Sequence, residues 1–154
     1  MEGFILFSYN SPMGFLITII MLNIIIFVHE FGHLIFAKIG KIGVLEFSIG
    51  MGPKIFGFKF KSTFYNFRIL PIGGFVKLAG MDEVEDNIDK KYFFQNASYF
   101  HRFNTLFAGS FFNLVLGFLI FFLIVFFLGK PKITSTVDSV LQGSPAYTQG
   151  IQPG

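Results

Sequence analysis

The chain has 154 residues, of which 53% are hydrophobic, 14% are charged and 25 are phenylalanine, and its formal net charge is +3. A single modest domain does not need that much apolar surface for a core, so lipid is the expected solvent for part of the chain. The absence of cysteine excludes a disulfide framework and any thiolate metal site, and the absence of a dense Lys/Arg run disfavours nucleic-acid binding.

The first predicted element is a transmembrane helix that runs roughly from Met13 to Ala37. It is apolar except for Thr18, Asn23 and a polar cluster at residues 29–33. The segment is long enough to cross a hydrocarbon core of about 30 Å, and a helix follows because backbone groups in lipid must bond internally. A cleaved signal peptide fits poorly, since no Lys or Arg precedes the stretch and no small-residue cleavage site follows it.

The polar cluster in this helix reads His29-Glu30-Phe31-Gly32-His33, which is the HExxH pattern. Helical residues four apart project from nearly the same face, so both imidazoles can bind one metal ion. Glu30 can lie beside that ion and take a proton from water, whose pKa zinc lowers to about 7. The structural alternative is a polar cluster that joins two helices by hydrogen bonds. The cost of an acidic group in an apolar span, about 2.5–3.5 kcal/mol, favours the metal site.

The connecting segment, residues 38–105, holds most of the basic residues of the chain. No Lys or Arg precedes the first span, and only two follow the second. The positive-inside rule therefore predicts that this loop is cytoplasmic and that both termini lie outside. The basic residues of the loop are Lys38, Lys41, Lys54, Lys59, Lys61, Arg68, Lys77, Lys90, Lys91 and Arg102.

Within the loop, Lys54 to Leu78 shows the alternation of a β-hairpin, with a turn expected at Ser62-Thr63 and a break at Pro71 and Gly73-Gly74. A hairpin with this many aromatic residues either lies on or in the membrane surface or packs only on its own chain, and both remain open. Residues 82–91 form a predicted charged and solvated stretch. The alternating apolar residues are Phe56, Phe58, Phe60, Tyr65, Phe67 and Ile69.

A second transmembrane helix is predicted roughly from Leu106 to Leu128, and its only polar side chains are Ser110 and Asn113. His101, just before it, is interpreted as an interfacial residue. The predicted fold class is thus membrane α-helical, with two transmembrane helices joined by a cytoplasmic loop that contains a membrane-associated β-hairpin.

Three segments occur in the order of a known family. They are VHEFGHLIFAKIGKIGVLEFSIGMG at Val28–Gly52, PIGGFVKLAGMDE at Pro71–Glu83, and the stretch from Arg102 to Asn113. They resemble the opening, the P-[LI]-G-G-[YF]-V-K element and the R…AGPxxN stretch of the bacterial site-2 protease family, which includes the regulator-of-sigma-E protease. Ser110 departs from this pattern, since the family usually has proline there. Residues 143–154 resemble the start of the PDZ domain that the family carries on the outer side.

The resemblance implies a zinc-dependent endopeptidase of the inner (cytoplasmic) membrane that cleaves transmembrane segments of membrane proteins in regulated intramembrane proteolysis. By resemblance His29 and His33 bind Zn²⁺, Glu30 is the catalytic base, and the hairpin engages extended substrate. Single-span proteins such as anti-sigma factors or signal-peptide remnants are the implied substrates. Asn113 matches an Asn of the family, and a simple interhelical hydrogen bond is its alternative role.

The family's third zinc ligand is an Asp in a later transmembrane segment, and nothing in this sequence matches it. We therefore expect the chain to be a fragment. Residues 1–128 would be the N-terminal part of the metalloprotease domain, and residues 129–154 a linker and a truncated PDZ-like start. Two other functions stay open: a catalytically inactive adaptor that binds membrane helices, and a different zinc hydrolase that acts on cytoplasmic chains.

Overall fold

The computed structural model describes residues 12–81, 88–129 and 137–153. Two long helices flank a two-stranded sheet in the order α1 (Pro12–Ile39), β1 (Val44–Phe60), β2 (Thr63–Leu78) and α2 (Tyr99–Leu128). Two short 3₁₀ turns, Lys90–Tyr92 and Phe94–Asn96, precede α2, and a short helix α3 (Pro145–Thr148) follows it. Residues up to Ile120 form one compact unit, to which the packing and the site below belong, and the remaining residues form a second.

Both long helices are long and apolar enough to cross a membrane. Their most apolar 18-residue windows have mean hydropathies of 2.2 and 2.9, and within the described part of the chain no residue of either window is buried. In a soluble protein, most residues of so apolar a helix would be buried by the rest of the chain. Lipid is therefore the solvent that matches these exposed side chains. Two apolar spanning helices, as predicted, make this an integral membrane protein.

The second helix begins at Tyr99, earlier than the predicted start near Leu106. Ser98 explains the difference, because its hydroxyl accepts a hydrogen bond from the backbone N–H of His101 at 3.4 Å. A serine in this position satisfies one of the free N–H groups of the first helical turn. The first turns of α2 contain polar residues that hydropathy alone assigns to the loop.

The predicted hairpin is confirmed and ends at Leu78 as expected, but its start and its turn differ from the prediction and the expected break is absent. Its turn lies at Lys61-Ser62, where Lys61 adopts a φ of 54°. β1 begins at Val44, and β2 continues through the residues that were expected to break it. Ser48 pairs with Phe75 and also with Asn66, so the first part of β1 lies between two parts of β2. A φ of 92° at Gly73, which glycine adopts without strain, lets β2 bend at this point.

One face of the sheet carries a polar network centred on Arg68. Its guanidinium donates to the Ser48 hydroxyl at 2.7 Å, to the Gly52 carbonyl at 2.7 Å and to a Glu46 carboxylate oxygen at 2.6 Å. Burial alone would raise the pKa of the Glu46 carboxyl, but hydrogen bonds from Asn66 and Arg68 and the charge of Arg68 hold that pKa below its ordinary value. The network joins the first part of β2 to β1.

The opposite face of the sheet is apolar and packs against α1. Phe47 meets Phe27 of α1 edge to face, with ring centroids 6.0 Å apart. A small core forms where the end of α1 meets the sheet, and this burial is the main apolar attachment between them. Its buried members are Leu34, Ala37, Ile42, Val44, Phe47 and Leu78.

In the second unit, Ser144 caps α3, since its hydroxyl accepts from the backbone N–H of Tyr147 at 3.2 Å. The PDZ-like start at residues 143–154 stays a prediction. In the predicted charged stretch, residues 82–87 lie outside the described residues, and Asp89 pairs with Lys91 at 2.8 Å on the surface.

The Glu46–Arg68 pair predicts a pH dependence of the sheet. Because the folded-state pKa of Glu46 lies below its ordinary value of 4.5, the pair stabilises the sheet above about pH 4.5 and this contribution is lost as the pH falls through the folded pKa. We expect Glu46→Gln to lower the hydrogen-exchange protection of β2 amides at pH 7 by about 1 kcal/mol. The difference from wild type should shrink below pH 4.5, whereas Asp89→Asn should leave β2 unchanged. A difference that stays constant with pH would contradict this reading.

Candidate metal centre

The two histidines of the HExxH pattern point from α1 into one small space beside α2. A Cβ placed on Gly109 would lie 2.5 Å from His33 Nε2 and 2.6 Å from His29 Nε2. The two nitrogens are therefore no farther apart than the sum of these distances, and the space between them exists because residue 109 has no side chain. The imidazole planes are nearly perpendicular, at 82°. Two imidazole nitrogens converging on one point are the donor arrangement that suits zinc.

A backbone carbonyl of α2 fixes the tautomer of His33. Its Nδ1 lies 2.7 Å from the Thr105 carbonyl oxygen. Since a carbonyl oxygen can only accept, Nδ1 must carry the proton, and the lone pair is left on Nε2. Metal-binding histidines usually donate their other N–H in this way, which orients the ring.

Asn113 of α2 lies next to the Nδ1 atom of His29. Its amide nitrogen lies 3.4 Å from His29 Nδ1, and its amide oxygen is buried without a hydrogen-bond partner within the described part of the chain. A half-turn of the amide exchanges the two atoms in the same volume. In that orientation the oxygen would accept from Nδ1–H, and His29 Nε2 would be free to bind metal.

The helices approach closely enough for these bonds because small residues meet at their contact. A Cβ on Gly32 would lie 2.6 Å from the carbonyl oxygen of Ala108, so no larger residue fits without separating the backbones. Gly32, Ala108 and Gly109 are all buried. Small residues of this kind are typical of helix contacts in membranes.

Glu30 lies on the side of α1 that faces the sheet. A Cβ on Gly74 of β2 would lie 3.4 Å from Glu30 Cγ, so the glycine allows the strand to pass beside this carboxylate. Asn23 lies about two helical turns before Glu30. Its amide donates to the carbonyl of Pro71, which connects the start of the PIGG element to α1. Glu30 thus lies beside the bent part of β2.

Within residues 12–81, 88–129 and 137–153, no group of three or more His, Asp and Glu side chains could hold a metal ion. Other acidic or imidazole groups are engaged elsewhere: Glu46 pairs with Arg68, and His101 Nδ1 contacts the Ser98 hydroxyl at 3.0 Å. The two histidines fit zinc in donor type, tautomer and direction.

The family profile described as Peptidase family M50 matches residues 17–152. The chain belongs to peptidase family M50. Its resemblance to the site-2 proteases is thereby confirmed.

Several M50 relatives are named "Putative zinc metalloprotease". The one from Fusobacterium nucleatum is 48% identical over 113 residues, covering 71% of this chain and 32% of the relative. The one from Thermotoga maritima is 38% identical over 138 residues, covering 88% of this chain and 27% of the relative. The one from Clostridium perfringens is 41% identical over 142 residues, covering 92% of this chain and 41% of the relative. The chain therefore spans less than half the length of these three relatives.

Sequence reasoning singled out His29, Glu30, His33 and Asn113. It did not single out Thr105 and Gly109, which lie beside the two histidines. The missed residues had a readable signal, because positions 105, 109 and 113 are four apart and share one face of a helix. The sequence does not say which face of α2 meets α1. It therefore does not distinguish this row of residues from the other rows on the same apolar helix.

Gly109 provides a test of the convergence of the two nitrogens. We expect Gly109→Ala to weaken zinc binding at least about tenfold, because the added Cβ would occupy the space that both Nε2 atoms face. The measurement is zinc affinity of the membrane-embedded protein by chelator competition. Gly117→Ala on the same helix is the matched control, since a Cβ there meets nothing within 4 Å. Equal zinc affinity of the two variants would show that Gly109 does not border the metal.

Asn113 provides a separate test. Asn113→Leu removes the acceptor for His29 Nδ1–H, and we expect zinc affinity to fall about 10–100-fold. Asn113→Asp keeps an acceptor and should retain more affinity than the leucine variant. Ser110→Ala, on an exposed position of the same helix, serves as the control. If Asn113→Leu binds zinc as wild type does, the residue is only a helix contact.

Proposed function

We propose that this chain carries the zinc-binding part of an intramembrane endopeptidase that cleaves transmembrane segments of membrane proteins. The observation that carries the proposal is the convergence of His29 and His33 Nε2 beside Gly109, between two helices whose apolar windows are uncovered. The names of the M50 relatives support zinc proteolysis. A hydrolytic site at this place acts on peptide bonds within or next to the bilayer.

His29 and His33 would hold Zn²⁺, and a third ligand from outside the described residues would complete the site. When bound, zinc acts as a Lewis acid that polarises the scissile carbonyl and the attacking water. Glu30 would accept a proton from that water as its oxygen bonds to the carbonyl carbon. The same carboxyl group would then donate the proton to the departing amine nitrogen as the C–N bond breaks.

The bent part of β2 supports a substrate-binding role beside this carboxylate. Gly74 lies against Glu30, and it pairs with Ile49 in the sheet. A transmembrane helix must be unwound before its peptide bonds can be attacked, and an unwound segment needs backbone partners. A strand edge offers them by β-addition, so substrate would extend along residues 73–76 toward Glu30.

The orientation we propose is the one that the basic residues predict, with the sheet on the cytoplasmic side and both termini outside. The site then lies in the cytoplasmic half of the membrane. The proposed substrates are single-span membrane proteins, of which anti-sigma factors and signal-peptide remnants are the kinds that the family resemblance implies. The inner membrane and the PDZ-like start at residues 143–154 belong to the same proposal.

Glu30→Gln tests this function. We expect cleavage of a single-span reporter in membranes to fall about 10²–10⁴-fold, because the amide cannot accept a proton, while zinc stays bound. Asp89→Asn makes the same chemical change at an exposed surface pair and should cleave normally.

Cleavage by Glu30→Gln at the wild-type rate would remove the proposed role of Glu30. A wild-type protein that binds zinc and the reporter helix without cleaving it would instead favour the adaptor function.

A further inference from the structure

A cavity of about 850 Å³ lies where the end of α1 meets the turn of the sheet. Four lysines line it: Lys38, Lys41, Lys59 and Lys61. Its other lining residues include Phe60, Phe64 and Tyr92. None of the metal-centre residues lines this cavity, so it is a separate feature of the protein.

The four ammonium groups lack carboxylate partners within the described residues. Asp89, the acidic residue that lines the cavity, pairs with Lys91 at 2.8 Å. The lysines meet aromatic groups instead: Lys38 donates to the Tyr65 hydroxyl at 2.7 Å, and Lys59 lies 5.0 Å from the ring centroid of Phe64. Four like charges around one cavity repel each other, so an anion that enters it is stabilised by all of them.

The position of the cavity selects the kind of anion. Lys38 lies in the last turn of the spanning helix α1, and Lys41 follows that helix. Phe60 and Tyr92 at the rim are 56% and 42% exposed. Lysines and aromatic rings together at the end of a span are typical of the headgroup region of a membrane. A soluble anion such as phosphate has no apolar part that could contact the exposed aromatic rim.

We propose that this cavity binds the phosphate headgroup of an anionic phospholipid. The four ammonium groups contact the phosphate, and the rim aromatics contact the glycerol backbone and the upper acyl chains. Because Lys59 and Lys61 come from the turn of the sheet and Lys38 from α1, one bound lipid joins the sheet to the helix that carries His29 and Glu30. The proposal rests on the membrane location of the chain and does not depend on proteolysis.

The test compares two double variants of the purified protein in a neutral detergent. Lys59→Gln with Lys61→Gln removes two charges from the cavity, and Lys54→Gln with Lys90→Gln removes two from positions that do not line it. Native mass spectrometry measures retained phosphatidylglycerol against phosphatidylcholine. We expect wild type and the control to prefer phosphatidylglycerol, and the cavity variant to bind it about thirtyfold more weakly.

Lys59→Arg with Lys61→Arg keeps the charge and should restore the preference, which separates loss of charge from loss of folding. Zinc content of each variant reports that α1 and α2 are still paired. Equal loss in both Gln variants, or no loss in either, would overturn the proposal. Displacement of the lipid by an equal concentration of inorganic phosphate would overturn the assignment to a lipid and leave a soluble phosphate site.

Discussion

The close approach of α1 and α2 at Gly32 is the constraint on which the site depends. In lipid, helices gain little from apolar contact, and they associate through tight packing and interhelical hydrogen bonds. Here both occur together, because the contact of Gly32 with Ala108 brings His33 Nδ1 to the Thr105 carbonyl at 2.7 Å. If the helices were separated by one side chain, this bond would break and the tautomer of His33 would no longer be fixed.

The sheet provides the second support, and it acts on Glu30. Its polar face holds β1 and the first part of β2 together through Arg68, and its apolar face packs on α1 through Phe47 and the core around it. The bent part of β2 is thereby held beside the helix, where Gly74 leaves room for the carboxylate. The two histidines and the proposed base thus depend on different neighbours, α2 for the histidines and the sheet for the glutamate.

The local features were predictable from sequence, and the close contacts were not. HExxH and the two apolar runs are short-range patterns, so His29, His33 and both helices could be found directly. Pro71 and Gly73-Gly74 usually end strands, and here the glycine at 73 bends β2 so that it continues, a result that depends on the rest of the sheet. Gly109 matters only because the imidazoles of His29 and His33 face it across the helix pair, and a single sequence does not contain that information.

A metal ion bound beside Gly109 would stabilise the pairing of α1 and α2. With Thr105 accepting from His33, and with the Asn113 amide turned so that its oxygen accepts from His29, both Nε2 lone pairs face the space beside Gly109. Two acceptors that face each other repel unless a donor or a cation lies between them, and lipid supplies neither. A zinc ion bound there would remove this repulsion and would meet two ligands that are already oriented, so its binding free energy would also favour association of the helices. The hydrogen bonds to α2 would therefore have two effects: they would select the tautomer that can bind a metal ion, and they would make that ion part of the helix contact.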